Sequence, residues 1–191
     1  MTPNPLDTRV VLDANVLVPA SLRDTLLRGA EEGLYVPFWS REVLVELHRT
    51  LVDNELASID AVTRLIDAIQ RSFPDSITLS GEPLIGQLTN DPKDRHVLAA
   101  AILTGSAQIV TFNTRHFSET ALGPHGVTAV TPDMFLQRLL RSHPERIIAL
   151  LKSQAAELRK RPMSLDDVLQ RLERHTPMFV KAARTRLSIT S

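Results

Sequence analysis

Short, continuous runs of aliphatic and β-branched residues alternate with helix-like segments along the first 130 residues of the chain. Four such runs, at 9–12, 34–38, 108–112 and 126–130, have the length and composition of buried strands. Strands that are separated by helices predict a parallel sheet covered on both faces, which is a three-layer α/β/α domain. Ligands of such sheets bind beyond the carboxyl ends of the strands, so the residues that follow each strand are the first candidates for a site.

The segments between the strands carry signals for helix starts and stops. Ser21, Ser40, Asp91 and Thr131 are predicted to cap four helices, because each offers a side-chain oxygen just before an amphipathic or apolar stretch. Another helix is predicted over residues 59–73. The helix that follows Asp91 is almost wholly apolar and ends at Gly105, so we expect it to be central and buried.

The pattern changes after residue 141. Three helices are predicted, at 144–160, 165–174 and 178–187, and no strand pattern remains. We therefore divide the chain into a body of residues 1–140 and a helical C-terminal extension of residues 141–191.

The net charge of zero conceals an asymmetry. Residues 1–137 contain ten Lys and Arg against seventeen Asp and Glu, whereas residues 138–191 contain twelve against five. A basic extension on an acidic body suggests an anionic partner for the extension. A solvated, Arg-rich helical surface explains the same asymmetry about equally well.

Composition excludes several classes of protein. The chain has no cysteine, which excludes disulfides, thiol catalysis and cysteine-ligated zinc, and fits a reducing compartment. No signal peptide is recognisable at the start, and no apolar run is long enough to span a membrane. We therefore expect a cytoplasmic protein without membrane segments.

Carboxylates interrupt the apolar runs at three places. Asp13 directly follows the first strand, Asp91 and Asp94 lie three residues apart at a helix start, and Glu42 and Glu46 lie four apart on one helix. Two carboxylates about 4 Å apart repel by roughly 4 kcal/mol at an effective dielectric constant of 20, so a cluster needs shared protons or a cation. Oxygen ligands suit Mg²⁺ or Mn²⁺ better than zinc, and these ions support phosphodiester hydrolysis by activating water and offsetting phosphate charge.

Each candidate also has a structural explanation. Asp13 could cap a turn, although no strong helix is predicted directly after it, and Asp91 fits a helix cap better than a ligand. Asp94 could be a favourable first-turn acid. Asn113 could be an ordinary turn residue after a strand. Glu46 is a better ligand candidate than the more exposed Glu42.

The remaining polar residues give weaker signals. Arg95, Arg115 and Lys93 flank the expected crevice and could contact phosphates, or could be solvated surface charges. Trp39 and Phe38 fit a core better than a base-stacking surface. Surface or structural roles fit every histidine, since none has metal-ligand spacing: His48, His96, His116, His125, His143 and His175.

Taken together, four segments of residues 8–137 resemble the PIN domain. They are Val-Leu-Asp-Ala-Asn-Val-Leu at 11–17, the stretch at 40–47 that ends in Glu-Leu, Asp-Pro-Lys-Asp-Arg-His-Val-Leu-Ala-Ala-Ala at 91–101, and Val-Thr-Phe-Asn-Thr-Arg-His-Phe at 110–117.

The resemblance implies a metal-dependent nuclease that acts on RNA. Asp13, Glu46 and Asp94 match the first three acids of the family, Asp91 is an additional acid, and Asn113 stands where the fourth acid is expected. Many bacterial PIN proteins of this size are similar to VapC-type toxins, which implies a cognate antitoxin and a homodimer. The helical extension is longer than such toxins usually carry.

Other functions fit less well or stay open. A haloacid-dehalogenase-like phosphatase would need an acid where Asn15 stands, and a dinucleotide-binding domain would need a glycine-rich turn after the first strand. A catalytically inert PIN-like module that binds RNA or protein is the main alternative. The basic helices could also bind nucleic acid, dimerise or dock a partner.

Overall fold

The computed structural model describes residues 8–78, 81–156 and 164–190 of the 191-residue chain. Five short strands form its sheet: β1 (Arg9–Leu12), β2 (Val36–Ser40), β3 (Ile77–Thr78), β4 (Gln108–Val110) and β5 (Thr128–Val130). Over these ranges, no helix has the length and apolarity that crossing a membrane requires.

All strand pairs are parallel, and the order across the sheet is β3-β2-β1-β4-β5. β1 is central, and Val11 pairs with Phe38 of β2 on one side and with Ile109 of β4 on the other. The chain builds the sheet first toward β3 and then crosses to β4 on the opposite side of β1. The strand order therefore reverses between β1 and β4, where a parallel sheet opens a crevice at its carboxyl edge.

Helices connect the strands and cover both faces of the sheet, as the strand–helix alternation predicts. The helices of the body are α1 (Ala14–Leu17), α2 (Ala20–Glu31), α3 (Arg41–Asp53), α4 (Ile59–Ser72), α5 (Glu82–Ile85), α6 (Arg95–Thr104), α7 (Glu119–Leu122) and α8 (Pro132–Ser142). The extension adds α9 (Pro144–Ala156), α10 (Leu165–Glu173) and α11 (Pro177–Thr190).

Helix α6 is the central buried helix that its composition predicts. Residues 96–101 are all buried, and the helix packs against β1, β2 and β4. It ends at Gly105, whose φ of 64° lies in the left-handed region that favours glycine. This helix fills the space under the sheet and holds its N-terminus, with Asp94, at the carboxyl edge.

Several predicted boundaries were wrong. Ser21 does not cap α2, because Pro19 occupies the cap position and the helix begins at Ala20. Directly after Asp13, where no strong helix was predicted, the structure has the four-residue helix α1, and the Asp13 side chain makes no capping hydrogen bond to it. Strand β3 was not predicted, since two residues carry no detectable pattern.

The strand ends also differ from the prediction. Phe112 lies outside β4 and is 37% exposed, although a buried strand was predicted to reach it. β5 begins at Thr128 rather than at Gly126, whose φ of 66° is incompatible with a strand. Trp39 is fully buried, which confirms its place in the core.

The extension packs onto the body through buried polar contacts. Gln154 of α9 is 2% exposed, and its amide contacts both the Thr25 hydroxyl and the Ser21 carbonyl of α2. The Asp133 carboxylate of α8 accepts the main-chain N–H groups of Met178 (3.2 Å) and Phe179 (2.7 Å) at the start of α11. The predicted helix over 144–160 extends to Ala156, and its last four residues lie outside the described ranges.

Candidate metal centre

Asp13 lies at the carboxyl end of the central strand, where the sheet opens between β1 and β4. Its side chain is 3% exposed. Its Oδ2 accepts two hydrogen bonds of 2.6 Å, from Nδ2 of Asn15 and from the hydroxyl of Thr111. Thr111 directly follows β4, so this hydroxyl joins the ends of the two strands that flank the crevice.

The environment of Asp13 disfavours its charge. Burial raises the pKa of the Asp13 carboxyl above its ordinary value, the hydrogen bond from Thr111 lowers it, and the charges of Asp94 and Glu46 raise it further. Three carboxylates that lie far apart in the chain therefore act on one another at this edge of the sheet. Such a cluster favours the uptake of protons or of a cation.

Glu46 reaches the cluster from helix α3. The Ser40 hydroxyl caps this helix by accepting the N–H of Val43, as its position predicts. One oxygen of Glu46 lies 3.4 Å from Nε2 of His96, and Nδ1 of the same ring contacts the Ser40 hydroxyl at 2.8 Å. His96 is buried and belongs to α6, so it connects the strand end at Ser40 with the carboxylate.

These neighbours determine the direction in which the pKa of His96 is shifted. Burial opposes protonation of the ring, but the contact with Glu46 and the charges of Glu46, Glu42 and Asp13 outweigh it, so the pKa of His96 is raised. Protonation of His96 would place a positive charge beside Glu46.

Asp94 belongs to a 3₁₀ turn, Pro92–Asp94, that leads into α6. Its Oδ2 lies 2.6 Å from Nδ1 of His116, which the turn after β4 supplies. Asp91 caps the turn by accepting the N–H of Lys93 at 3.0 Å, as predicted. Ligand atoms of Asp91, Asp94 and His116 all lie within 4.8 Å of one another.

The other predicted site residues surround this arrangement. The N–H of Asn113 donates to the Thr111 hydroxyl at 3.0 Å, and Asn113 begins the turn that carries His116. Nε of Arg95 donates to the carbonyl of Asn90, which holds this half-buried side chain beside the start of α6. Arg115 is exposed in the turn between Asn113 and His116.

Sequence reasoning did not single out four residues that contact the carboxylates: Asn15, His96, Thr111 and His116. One signal was available for Thr111, a hydroxyl that interrupts the apolar run before Phe112. No signal was available for the histidines, because their partners Glu46 and Asp94 lie 50 and 22 residues away and become neighbours only in the fold.

The donor set fits a hard divalent cation. Asp13, Glu46 and Asp94 could offer carboxylate oxygens to such an ion, and Asp13 has a raised pKa that a nearby positive charge would lower again. Asp91 and His116 stand next to Asp94 and could complete or support the same centre. Cysteine is absent from the chain, so soft thiolate ligation does not apply.

Comparisons with known proteins identify the family of the chain. The sequence pattern of the PIN domain matches residues 9–115, which include Asp13, Glu46, Asp91 and Asp94, and the pattern described as the VapC50 C-terminal domain matches residues 132–185. A protein of Mycobacterium tuberculosis named "Putative ribonuclease VapC50" is 36% identical over 101 residues. That match covers 53% of this chain and 60% of the relative's length. No solved structure matches the chain.

The family pattern covers more than half of the chain, and the five-stranded parallel sheet places its acids at one edge. The chain therefore belongs to the PIN-domain family.

Proposed function

We propose that the chain is a metal-dependent endoribonuclease that hydrolyses RNA phosphodiester bonds. The observation that carries this proposal is the buried carboxylate of Asp13, whose pKa is raised by burial and by the charges of Asp94 and Glu46 at the carboxyl edge of the sheet. The name of the relative from Mycobacterium tuberculosis, a ribonuclease, supports the same substrate class.

In this proposal, Asp13, Glu46 and Asp94 hold Mg²⁺ or Mn²⁺, and Asp91 acts mainly as a helix cap. When bound, such a cation lowers the pKa of water and offsets charge on the phosphate. Asn113 positions the attacking water or the phosphate, and Arg95 and Arg115 contact the RNA backbone. Arg95 suits this role because its bond to Asn90 already restrains the side chain.

The residues around the carboxylates keep them oriented. Thr111 and Asn15 hold one oxygen of Asp13, while His96 and His116 contact Glu46 and Asp94. Hydrolysis adds one water across a P–O bond, so the water oxygen joins phosphorus and the departing oxygen takes a proton. Preorganised ligands reduce the rearrangement that this displacement requires.

We further propose that the protein is the toxin of a toxin–antitoxin pair, with a cognate antitoxin and a homodimeric state, acting in the cytoplasm. The match to the VapC50 C-terminal domain and the relative's name support the pairing. In this scheme residues 1–140 form the nuclease unit and residues 141–191 the extension. Sedimentation of the purified protein tests the dimer, and co-purification of a second small protein on expression from the native operon tests the partner.

The test of the nuclease is cleavage of single-stranded RNA by the purified full chain with Mn²⁺, Mg²⁺ or EDTA. Asp94→Asn is compared with Asp67→Asn, which changes an exposed carboxylate of α4. We expect metal-dependent cutting that Asp67→Asn retains and that Asp94→Asn loses while staying folded.

Calorimetry with Mn²⁺ accompanies the cleavage assay. If Mn²⁺ binds but the wild type leaves several RNAs intact, those RNAs are not its substrates or an inhibitory partner is bound. If Mn²⁺ does not bind, the proposal is wrong, and the chain is an inert PIN-like module that binds RNA or protein.

A further inference from the structure

An aromatic side chain stands exposed next to the candidate metal centre. Phe112 is 37% exposed, although it lies between Thr111, which holds the Asp13 carboxylate, and Asn113. Its main-chain N–H donates to Oδ1 of Asn15 at 3.1 Å, so its backbone is fixed by the residues that orient Asp13. The position of Phe112 is therefore fixed, and part of its ring faces solvent.

The C-terminal extension brings a second ring to Phe112. His175 lies between α10 and α11, and its ring centroid is 5.8 Å from that of Phe112, with the planes tilted by 48°. The next residue, Thr176, is fully buried and donates its hydroxyl to the Leu172 carbonyl. The position of His175 is therefore set by the packing of the extension.

Open space adjoins the ring of His175. His175 lines a cavity of about 590 Å³ whose walls are mostly aliphatic, from Val18 at the end of α1 to Leu51 and Val62 of the α3–α4 hairpin. Arg23 also lines it, although its guanidinium donates to the carbonyls of Leu17 and Val18. A volume of this size lies within the range of roughly 300–1,000 Å³ that is common for small-ligand sites.

The chemistry of this surface suits a planar, apolar ring that also carries polar edges. Burial and the neighbouring Arg174 lower the pKa of His175, which favours the neutral imidazole that stacks without repelling other groups. Single-stranded RNA offers unstacked bases that pack on aromatic and histidine rings.

We propose that Phe112 and His175 form a stacking site for one nucleobase of single-stranded RNA, next to the phosphate held at the carboxylate cluster. The proposal rests on the proposed function and specifies how its substrate is held. The C-terminal extension thereby contributes a residue to the substrate site of the PIN body. A peptide side chain on the same rings is the alternative that the experiment must separate.

The experiment is a double-mutant cycle between the protein and the RNA. Binding of a short labelled single-stranded RNA is measured by fluorescence anisotropy in EDTA, which prevents metal-dependent cutting. Wild type, Phe112→Leu and Phe112→Tyr are each compared on intact RNA and on RNAs with a single abasic nucleotide at successive positions. Phe112→Tyr keeps the ring, and thermal unfolding checks that each variant is folded.

We expect Phe112→Leu to weaken binding roughly 5- to 150-fold, the range for one stacked base, and Phe112→Tyr to bind like the wild type. One abasic position should weaken wild-type binding by a similar factor and should have little further effect on Phe112→Leu. His175→Phe should bind as tightly as the wild type, whereas His175→Ala should lose part of the affinity.

Two results overturn the proposal. Additive losses, or none, would show that Phe112 only docks the extension or receives a peptide. Absence of RNA binding by the wild type in EDTA would also contradict the stacking site, whereas the ribonuclease would still be tested by cleavage in Mn²⁺. Non-additive losses without any cleavage in Mn²⁺ would instead support the stacking site and contradict the hydrolytic function.

Discussion

The ionised carboxylate of Asp13 is unfavourable at its buried position unless a cation is present. Its carboxylate is buried, and two hydrogen bonds only partly compensate for burial and for the charges of Asp94 and Glu46. Because its folded pKa is raised above 3.8, the native state binds a proton more readily than the unfolded chain. The contribution of Asp13 to stability is therefore lost as the pH rises from about 3.8 through the folded pKa, and the ionised form destabilises the metal-free protein at pH 7.

We expect Asp13→Asn to raise the thermal midpoint of the metal-free protein at pH 7 by a few degrees, given about 2–4 °C per kcal/mol for a chain of this size. Mn²⁺ should raise the midpoint of the wild type but not of Asp13→Asn, because binding to the native state alone is stabilising. Calorimetric melting with and without Mn²⁺ measures both effects, with Asp67→Asn as the control. A lower metal-free midpoint combined with an intact Mn²⁺ effect would contradict the role given to Asp13.

A substitution of Thr111 tests whether neighbouring residues orient the carboxylate of Asp13. Thr111→Val preserves the shape of the side chain but removes the hydroxyl that donates to Asp13, so we expect Mn²⁺ affinity or RNA cleavage to fall about 10- to 100-fold. Thr128→Val on β5 is the matched control, because it removes a hydroxyl that donates only to the Ala107 carbonyl. Titration calorimetry and initial cleavage rates give the two readouts, and equal effects of both substitutions would refute the positioning role.

Whether a site residue could be predicted from the sequence depended on whether its local surroundings in the chain carried a signal. A carboxylate directly after a buried strand is costly, so Asp13 could be identified as a candidate from local sequence alone. The contacts of His96 and His116 depend on how α6 and the turn after β4 lie across the crevice, and no local pattern carries that information. The roles of Glu46, Asp94 and Asn113 stay predictions.

Hydrogen bonds at helix ends cap individual helices in this chain, and one of them also joins two helices. Ser40, Asp91 and Thr131 cap their helices as the sequence predicts, and Ser164 caps α10 in the same way, because each acts on N–H groups two or three residues ahead. Asp133 acts differently, since it lies in α8 and accepts the first N–H groups of α11, 45 and 46 residues further on. Capping between elements of this kind is tertiary and leaves no local pattern.

Asp133→Ala should therefore lower the free energy of unfolding by about 0.5–2 kcal/mol, the range for a lost helix cap. The exposed Asp67→Ala is the control and should change it little. Urea denaturation followed by circular dichroism gives the difference. A wild-type midpoint for Asp133→Ala would mean that these hydrogen bonds are compensated by water.

We expect His175 to make the stability of the folded protein depend on pH. Its folded pKa is lowered, first by burial and then by Arg174, so the unfolded chain takes up the proton first as the pH falls below about 6.5. This linkage removes stability between about pH 6.5 and the lower folded pKa, and has no effect above that window. We expect His175→Phe to flatten the acid side of the stability profile relative to wild type.

The matched control for that profile is His125→Phe, which changes an exposed histidine in the turn before β5. Urea midpoints measured from pH 7.5 to pH 5 are compared for the three proteins, with the expected window set by the ordinary histidine pKa of about 6.5. If His175→Phe and the wild type lose stability in parallel, the imidazole does not control docking of the extension.

At the scale of the whole molecule, the structure shows where basic residues of the C-terminal extension lie. Helix α8 follows the carboxyl end of β5, so its first turn lies at the same edge of the sheet as Asp13, and Asp133 there receives the start of α11. Between these two helices runs a groove of about 520 Å³ that Arg141, Lys181 and Arg186 line. The sequence predicted the helices and the excess of positive charge, but the packing of α9 and α11 on the body depends on contacts such as Gln154 with Thr25.

Substitutions in this groove test whether the basic extension contacts RNA or only solvent. Each phosphate contact on a single strand contributes about −0.7 to the slope of log affinity against log salt, so removing two contacts should make the slope shallower by about 1.4. We expect this change, with weaker binding at low salt, for Arg141→Gln combined with Lys181→Gln. The matched pair Lys152→Gln and Arg171→Gln removes two exposed charges of α9 and α10 and should leave the slope unchanged. Equal slopes for both pairs and the wild type would assign the positive charge to solubility, because counterions are released only where phosphates replace them.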